Sequence, residues 1–537
     1  IYNTSFEADS VATDFYNFSE FSFINVTQRD TLFIRSEFKR GKNNNDIFNL
    51  NLFHTINENN KSVVGIQQSD FKFKDNVWYL NEENNRSNRL IFDNNFRDLR
   101  IDSLVMSHQN EEIRLSGEMR DSTYKNFKMK FNNVEIAKIT PEIDSLDIAG
   151  TLNGDLDLLQ EEGAYFPNTR LRIDSMRVNN TYMGNLQMDV TGNKNLTNYS
   201  VNAVLQKQGL ESLSAIGDID VSGNEPAIDL EVNLNRLNMS IFSALGADVL
   251  TDIRGFASGR AFVTGNYKNP DFSGSLRLNK AGLRIPYLNV DLDFQDEARV
   301  NLTKQQFVFD DIDIIDTKYR TTGVLDGIIS HRNFSQWYLD LSLNSDRILV
   351  LDTEGDEDAL YYGTAFIDGE ATIKGPTDEL VIDVNAATER GTVFKIPLSD
   401  TESVGDNSFI RFLSPEEKAA RLAGEELELP EVKGMELIFD LDITNDAEVE
   451  VVVDKTSGST LRGRGSGNLL LEINTNGKFN MWGDFVVYQG VYNFKYAGLV
   501  QKVFTVESGG SINWNGDPTD ARLDVSAVYS LNANPAV

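Results

Sequence analysis

Glu436-Leu437-Ile438-Phe439-Asp440-Leu441-Asp442-Ile443-Thr444 is the stretch that decides how the rest of this chain reads. Leu437, Phe439, Leu441 and Ile443 fall on one side of an extended backbone, and Asp440, Asp442 and Thr444 on the other. A period of two residues belongs to a half-buried strand. The same alternation recurs in Val449, Val451 and Val453, in Leu469, Leu471 and Ile473, and in Leu523, Val525 and Ala527. Upstream it returns in Phe48, Leu50 and Leu52, in Phe127, Met129 and Phe131, in Leu230, Val232 and Leu234, and in Val290, Leu292 and Phe294.

Between such runs stand turn-forming pairs: Asn153-Gly154, Gly223-Asn224, Asn269-Pro270, Asn476-Gly477 and Gly516-Asp517. They suit antiparallel hairpins, and the helical crossovers of a parallel α/β sheet are missing. At about 12 residues per strand and turn, the chain would hold on the order of 45 strands.

Two segments read as helices. From Ser240, the residues Ile241, Leu245 and Val249 make one apolar stripe with Phe242 beside them. From Ser414, an N-cap is followed by Pro415 at the first helical position, Glu417 completes a capping box, and Gly424 closes the segment. Both are too short to stand alone in water, so each is expected to dock on the sheet.

Internal similarity appears at a long period. Gly259-Arg-Ala-Phe-Val-Thr-Gly265 resembles Gly369-Glu-Ala-Thr-Ile-Lys-Gly375, and an Ile-Pro pair follows each, Ile285-Pro286 and Ile396-Pro397. A looser third copy begins at Gly467. Such repeats suggest a stack in which each unit touches its neighbours, and hence an elongated shape.

Composition narrows the function. The 537 residues carry 50 Lys+Arg against 82 Asp+Glu, a formal net charge of -32, which disfavours nucleic acid and anionic surfaces as partners. There is no Cys, so neither a disulfide framework nor a thiolate metal site is possible. No stretch reaches the roughly 18 consecutive apolar residues of a spanning helix. The chain begins at Ile1 without an initiator Met or signal-peptide pattern, which places any anchor upstream of this sequence.

Catalytic signatures are missing. His54, His108 and His331 are the only histidines and lie in no metal-ligand spacing, so packing or surface roles are expected of them. Gly463-Arg-Gly465-Ser-Gly467 lacks the following helix of a phosphate cradle and reads as a flexible turn between strands. Gly509-Gly510-Ser511-Ile512 falls short of a nucleophile elbow. The acidic run Asp352, Glu354, Asp356, Glu357 and Asp358 has Gly355 at the wrong place for an EF-hand and reads as a solvated loop. No enzyme activity, cofactor or metal is expected.

What remains is the apolar face. A sheet lined with Leu, Val, Ile and Phe on one side must have that side covered, and two short helices cannot do it. Either the sheet closes on itself or another apolar substance fills it.

The last third bears on that choice. Gly490-Val-Tyr492-Asn-Phe494, then Phe504-Thr-Val506-Glu-Ser-Gly509-Gly510-Ser-Ile512-Asn-Trp514-Asn-Gly516-Asp517-Pro518, then Ala521-Arg-Leu523-Asp-Val525-Ser-Ala527-Val-Tyr529, resemble the C-terminal domain of the TamB family, within the AsmA-like superfamily of bridge-like lipid transfer proteins. The resemblance implies an all-β fold: an elongated, curved antiparallel sheet shaped as a taco-like trough with an apolar interior, plus the two docked helices. It implies a trough segment over 1–235, AsmA-like repeats over 236–405 with the helix near 240–250, a helical insertion over 406–425, and the TamB-type domain over 426–537, incomplete at its end.

Implied too are a periplasmic place between the inner and outer membranes of a Gram-negative bacterium, phospholipid as cargo, and an inner-membrane anchor upstream. A BamA-like outer-membrane barrel of the TamA type is the implied protein partner. The expected lining of the lipid groove is Leu437, Phe439, Leu441, Ile443, Val449, Val451, Val453, Leu469, Leu471, Ile473, Leu523 and Val525. The alternative function is outer-membrane protein assembly with that barrel, by addition of a strand to an exposed edge.

Overall fold

The computed structural model describes residues 3–12, 17–40, 46–140, 147–246, 250–355, 361–397, 434–454, 457–474, 478–496 and 500–530. These form 35 strands of one mostly antiparallel sheet. Fewer strands appear than the 45 expected because many are long, up to the 19 residues of Ser335–Thr353. Among the described residues, helix is confined to Ile136–Ile139 and three 3₁₀ segments, Met239–Gly246, Pro286–Leu288 and Pro518–Asp520.

The stripe from Ser240 is therefore an eight-residue 3₁₀ segment rather than an α-helix. It directly follows the strand Ala227–Asn238, and the Ser240 amide is capped by the Asn238 side chain at 3.0 Å. Val249 and the helix read from Ser414 to Gly424 lie outside the described residues, as does Asn476-Gly477.

The chain divides into two compact units, Ile1–Ile241 with Ala257–Leu276, and Phe242–Phe256 with Arg277–Val537. In the first, the strands from Thr4–Ala12 to Ala227–Asn238 pair antiparallel with their neighbours, and apolar residues meet in register. Val134, Leu152, Ile173, Leu186, Leu205, Leu213 and Leu234 stand opposite one another across seven successive strands. Trp78, Val134, Ile136 and Leu152 make a small buried core beneath one end of that row.

Bulges bend these strands, and side chains from the next strand hold them. Asn133 and Ser175 adopt φ of 54° and 53°, and their amides donate to Oδ1 of Asn153 and Asn185, both at 2.9 Å. The pair Asn153-Gly154 is thus no turn: it lies inside the strand Ile148–Glu161, paired on both sides. Asn153 caps its neighbour's bulge, and Gly154, at φ 136°, leaves room for the Arg170 carbonyl. A turn and a capped bulge ask for the same two residue types, which is why the sequence misleads here.

In the second unit three long strands cross a crease. Tyr362–Pro376 pairs through its later part with Leu380–Thr388 and through its start with Val393–Pro397. Ser459–Asn474 is shared in the same way between Met435–Ile443 and Glu448–Asp454, and Phe479–Tyr496 between Gly510–Gly516 and Val500–Val506. Each long strand belongs to two walls.

Gly463-Arg-Gly465-Ser-Gly467 marks the crease. It is not a turn but the middle of Ser459–Asn474, where a bulge separates Arg464 from Gly465. The neighbours Leu461, Leu469, Leu471 and Ile473 on that face are nearly inaccessible. Between them a Cβ on Gly465 would come within 2.7 Å of the Phe485 ring and strike the Val486 carbonyl. Only glycine lets the two strands fold together over Phe485.

Among the described residues two pairings depart from the antiparallel expectation. Leu380–Thr388 runs parallel to Met435–Ile443, and Val393–Pro397 parallel to Glu448–Asp454. A parallel pair needs a long return connection, and 37 residues lie between Pro397 and Met435.

Candidate functional site

Inside the crease of the second unit the two walls enclose a cleft of about 760 Å³, measured to its open side. Phe439, Leu441 and Ile443 face it from Met435–Ile443, Val449 from Glu448–Asp454, and Leu469, Leu471 and Ile473 from Ser459–Asn474. Seven of the twelve expected lining residues are thereby brought together. Leu437 is fully buried in the same core and does not reach the opening.

The other four stand elsewhere. Val451 and Leu523 border a smaller pocket of about 220 Å³ with Ile396, Ile512, Trp514 and Ala521. Leu523 is 46% exposed, because its strand Arg522–Asp524 pairs on one side alone among the described residues. Val453 and Val525 pack as half-buried residues against the core.

Sequence reading missed the opposite wall. Ile367 and Ala365 on Tyr362–Pro376 and Phe394 and Ile396 on Val393–Pro397 complete the cleft, with Tyr361 and Met481. Their alternation is visible in Thr364 to Ile367 and Val393 to Ile396, but which wall faces which depends on pairings that local pattern does not contain.

The apolar residues of the cleft and of the core beside it form rows in register. Leu343, Ala371, Val384, Phe439, Leu471 and Met481 stand opposite one another across six strands, and Leu341, Ile373, Ile382, Leu437, Ile473 and Phe479 form a second row beside them. The rows run along the sheet, perpendicular to the strands.

The few polar groups in the cleft are already engaged. Thr392 Oγ1 donates to the Phe366 carbonyl and accepts from its amide, both at 3.0 Å. Thr388 Oγ1 accepts from the Thr444 amide at 2.9 Å. Glu448 is ion-paired to Arg462, with Arg464 at 3.7 Å. Burial pushes the Tyr361 phenol well above its usual range, so it stays neutral, and its ring lies 5.7 Å from both Phe394 and Phe479. Such a surface offers dispersion contact and little hydrogen bonding.

The residues weighed for catalysis are structural. His331 is buried against Phe334, Phe307 and Trp337, with ring centroids at 4.5, 5.5 and 4.9 Å, and burial lowers its pKa to about 4. His54 lies 3.2 Å from Ser62 Oγ and His108 2.7 Å from the Val77 carbonyl. Asp352 pairs with Lys318, while Asp356, Glu357 and Asp358 lie outside the described residues. Among the described residues no three His, Cys, Asp or Glu side chains are grouped to hold a metal, and no helix is long and apolar enough to cross a membrane.

Residues 312–537 match the family model of the TamB C-terminal domain, a span that takes in the creased strands and all of the cleft lining but Leu288. Over these residues the chain is similar to a TamB C-terminal domain. The match extends far upstream of the motifs that first suggested TamB, back to the strand Gln306–Asp316. TamB proteins belong to the translocation and assembly module of Gram-negative bacteria, lie in the periplasm across the envelope, and associate with a TamA-type outer-membrane partner. The TamB family is one of transport and assembly components. No curated protein and no solved structure matches the chain.

Proposed function

We propose that this chain is a phospholipid conduit, which carries acyl chains along the apolar face of its sheet through the periplasm while headgroups remain in water at the open side. The observation that carries this reading is the set of apolar rows in register, such as Leu343–Ala371–Val384–Phe439–Leu471–Met481. Moving one chain of about 16 carbons through water exposes it at about 0.8 kcal/mol per CH₂, on the order of 13 kcal/mol. A row that continues from strand to strand removes most of that barrier, and its lack of free hydrogen-bonding groups gives a tail no place to be trapped.

In this reading lipid comes from an inner membrane to which the protein is anchored and passes toward the TamA-type barrel. The chain itself needs no catalytic group for the transfer. The test is to purify the protein, extract it with organic solvent and count phospholipids per chain by mass spectrometry. Several per chain, lost in Leu441→Asp, is the expected result; none in the wild type overturns the conduit.

A second reading, assembly of outer-membrane proteins by strand addition, is favoured by one observation. Among the described residues, positions 500–504 of Val500–Val506 pair with Phe479–Tyr496 and have no strand on their other side. A bare edge of that kind accepts another strand. Site-specific crosslinks from position 503 to unfolded barrel precursors would support it.

A further inference from the structure

The hairpin formed by the end of Phe479–Tyr496 and by Val500–Val506 differs in charge from the rest of the molecule. The 22 residues from Phe485 to Val506 contain no Asp or Glu and two Lys, Lys495 and Lys502, whereas the chain's average acidity would place about three carboxylates there. Asp484 and Glu507 bound the stretch. In a chain of net charge -32, this is a patch of the opposite sign.

The patch is also apolar on both faces. Tyr492, Phe494 and Tyr496 stand opposite Phe504, Lys502 and Val500 on one face, while Val491 stands opposite Thr505, and Asn493 opposite Val503, on the other. Tyr496 is 66% exposed and Val503 51%, and Val491 and Val500 are exposed as well. The rings form a ladder: Tyr492 to Phe504 at 6.0 Å, Phe494 to Tyr496 at 6.5 Å and Phe504 to Tyr529 at 5.4 Å, with the Lys502 ammonium 5.0 Å from the Tyr529 centroid. Each face thus carries apolar side chains, and each carries one Lys.

We infer that this hairpin docks into the polar–apolar interface of a phospholipid bilayer. Tyrosines favour that depth because the ring is apolar and the hydroxyl wet, and lysines there bury their stems while the ammonium meets a phosphate. The missing carboxylates remove the repulsion that the rest of the chain would feel from anionic headgroups. Deeper insertion is opposed by the backbone edge at 500–504, which has no strand partner on its outer side among the described residues and whose amides and carbonyls need water or headgroups. The inference does not rest on the conduit reading, since a chain that carried no lipid would dock in the same way.

Flotation of the full chain with vesicles of phosphatidylethanolamine and phosphatidylglycerol tests it. Wild type is expected to rise with the vesicles. Tyr496→Asp combined with Val503→Asp, both at exposed positions, is expected to lower the bound fraction at least about tenfold with the melting temperature unchanged. Leu210→Asp, at a site 74% exposed elsewhere, is expected to float like wild type.

Because the chain has no Cys, a polarity-sensitive dye on Tyr496→Cys gives an independent readout. Its emission should shift blue when vesicles are added, and that of Leu210→Cys should not. Wild type that fails to float, or a double variant that floats equally well, overturns the proposal. Failure to float together with crosslinks from position 503 to a protein strand would likewise overturn it and assign the edge to strand addition. Lipid counts from organic extraction should be the same for wild type and the hairpin double variant, so loss of docking and loss of cargo are read separately.

Discussion

The Phe485 side chain, 1% exposed, occupies the space that a Cβ on Gly465 would need. The two walls of the second unit fold together over this contact. Gly465→Ala is therefore expected to lower stability by about 1–3 kcal/mol, through a clash that backbone movement must relieve. Urea unfolding measures it. Gly223→Ala, where the nearest atom to a new Cβ is 3.6 Å away, should change the midpoint little.

Leu441 and Leu471 line the same cleft but differ in what they tolerate. Leu441 is half-buried, so Leu441→Asp can keep its carboxylate near the opening, and the protein should fold and lose its bound lipid. Leu471 is 2% exposed, and Leu471→Asp would bury a charge without a partner. It should fail to fold or lose several kcal/mol. Lipid content and melting temperature of the two variants, measured together, separate lining from core.

The Asn153 cap on the Asn133 amide predicts a local effect. Asn153→Ala should cost about 0.5–1.5 kcal/mol and speed hydrogen exchange at the Asn133 amide. Asn153→Asp keeps the acceptor and should keep the protection. Equal exchange in wild type and Asn153→Ala would show that water replaces the cap without loss.

His331 gives a pH dependence of fixed sign. Its pKa is about 4 in the folded chain against an ordinary 6.5, because burial disfavours the charged ring, and Nδ1 accepts from the Phe334 amide at 3.1 Å. The folded state thus binds fewer protons, so His331 leaves stability almost untouched above about pH 7.5 and removes it progressively as pH falls through 6.5 toward 4, by at most about 3 kcal/mol. Carboxylates change over part of the same range, so the comparison is with His331→Gln. Wild type should lose more stability than the variant between about pH 7 and pH 5.

Much of the fold was legible because alternation is a local signal. Leu437 to Ile443 and Leu469 to Ile473 could be placed on one face from their spacing alone, and they do meet around one cleft and its core. Three features were not legible, each for a physical reason. Asn153-Gly154 and the Gly463–Gly467 run looked like turns because a bulge or crease draws on the same backbone freedom. The parallel pairings depend on a connection whose path no local pattern records. Leu523 keeps the alternation of a buried strand yet stands 46% exposed, because burial depends on the neighbour a strand receives as well as on its own residues.

The two parallel pairings have a consequence for how the molecule is made. Nearly every other strand pairs with one close to it in sequence, so the sheet can grow as a zipper in which each step closes a short loop. Joining Leu380–Thr388 to Met435–Ile443 instead requires two segments separated by the 46 residues between Thr388 and Met435 to find each other, and Val393–Pro397 must be matched to Glu448–Asp454 in the same event. Loop closure of that length raises the entropic barrier, and until it is crossed the apolar rows on either side stay apart. Folding of the second unit is therefore expected to have its slow step at this junction, and the interval before it closes is when exposed edges would be open to wrong partners.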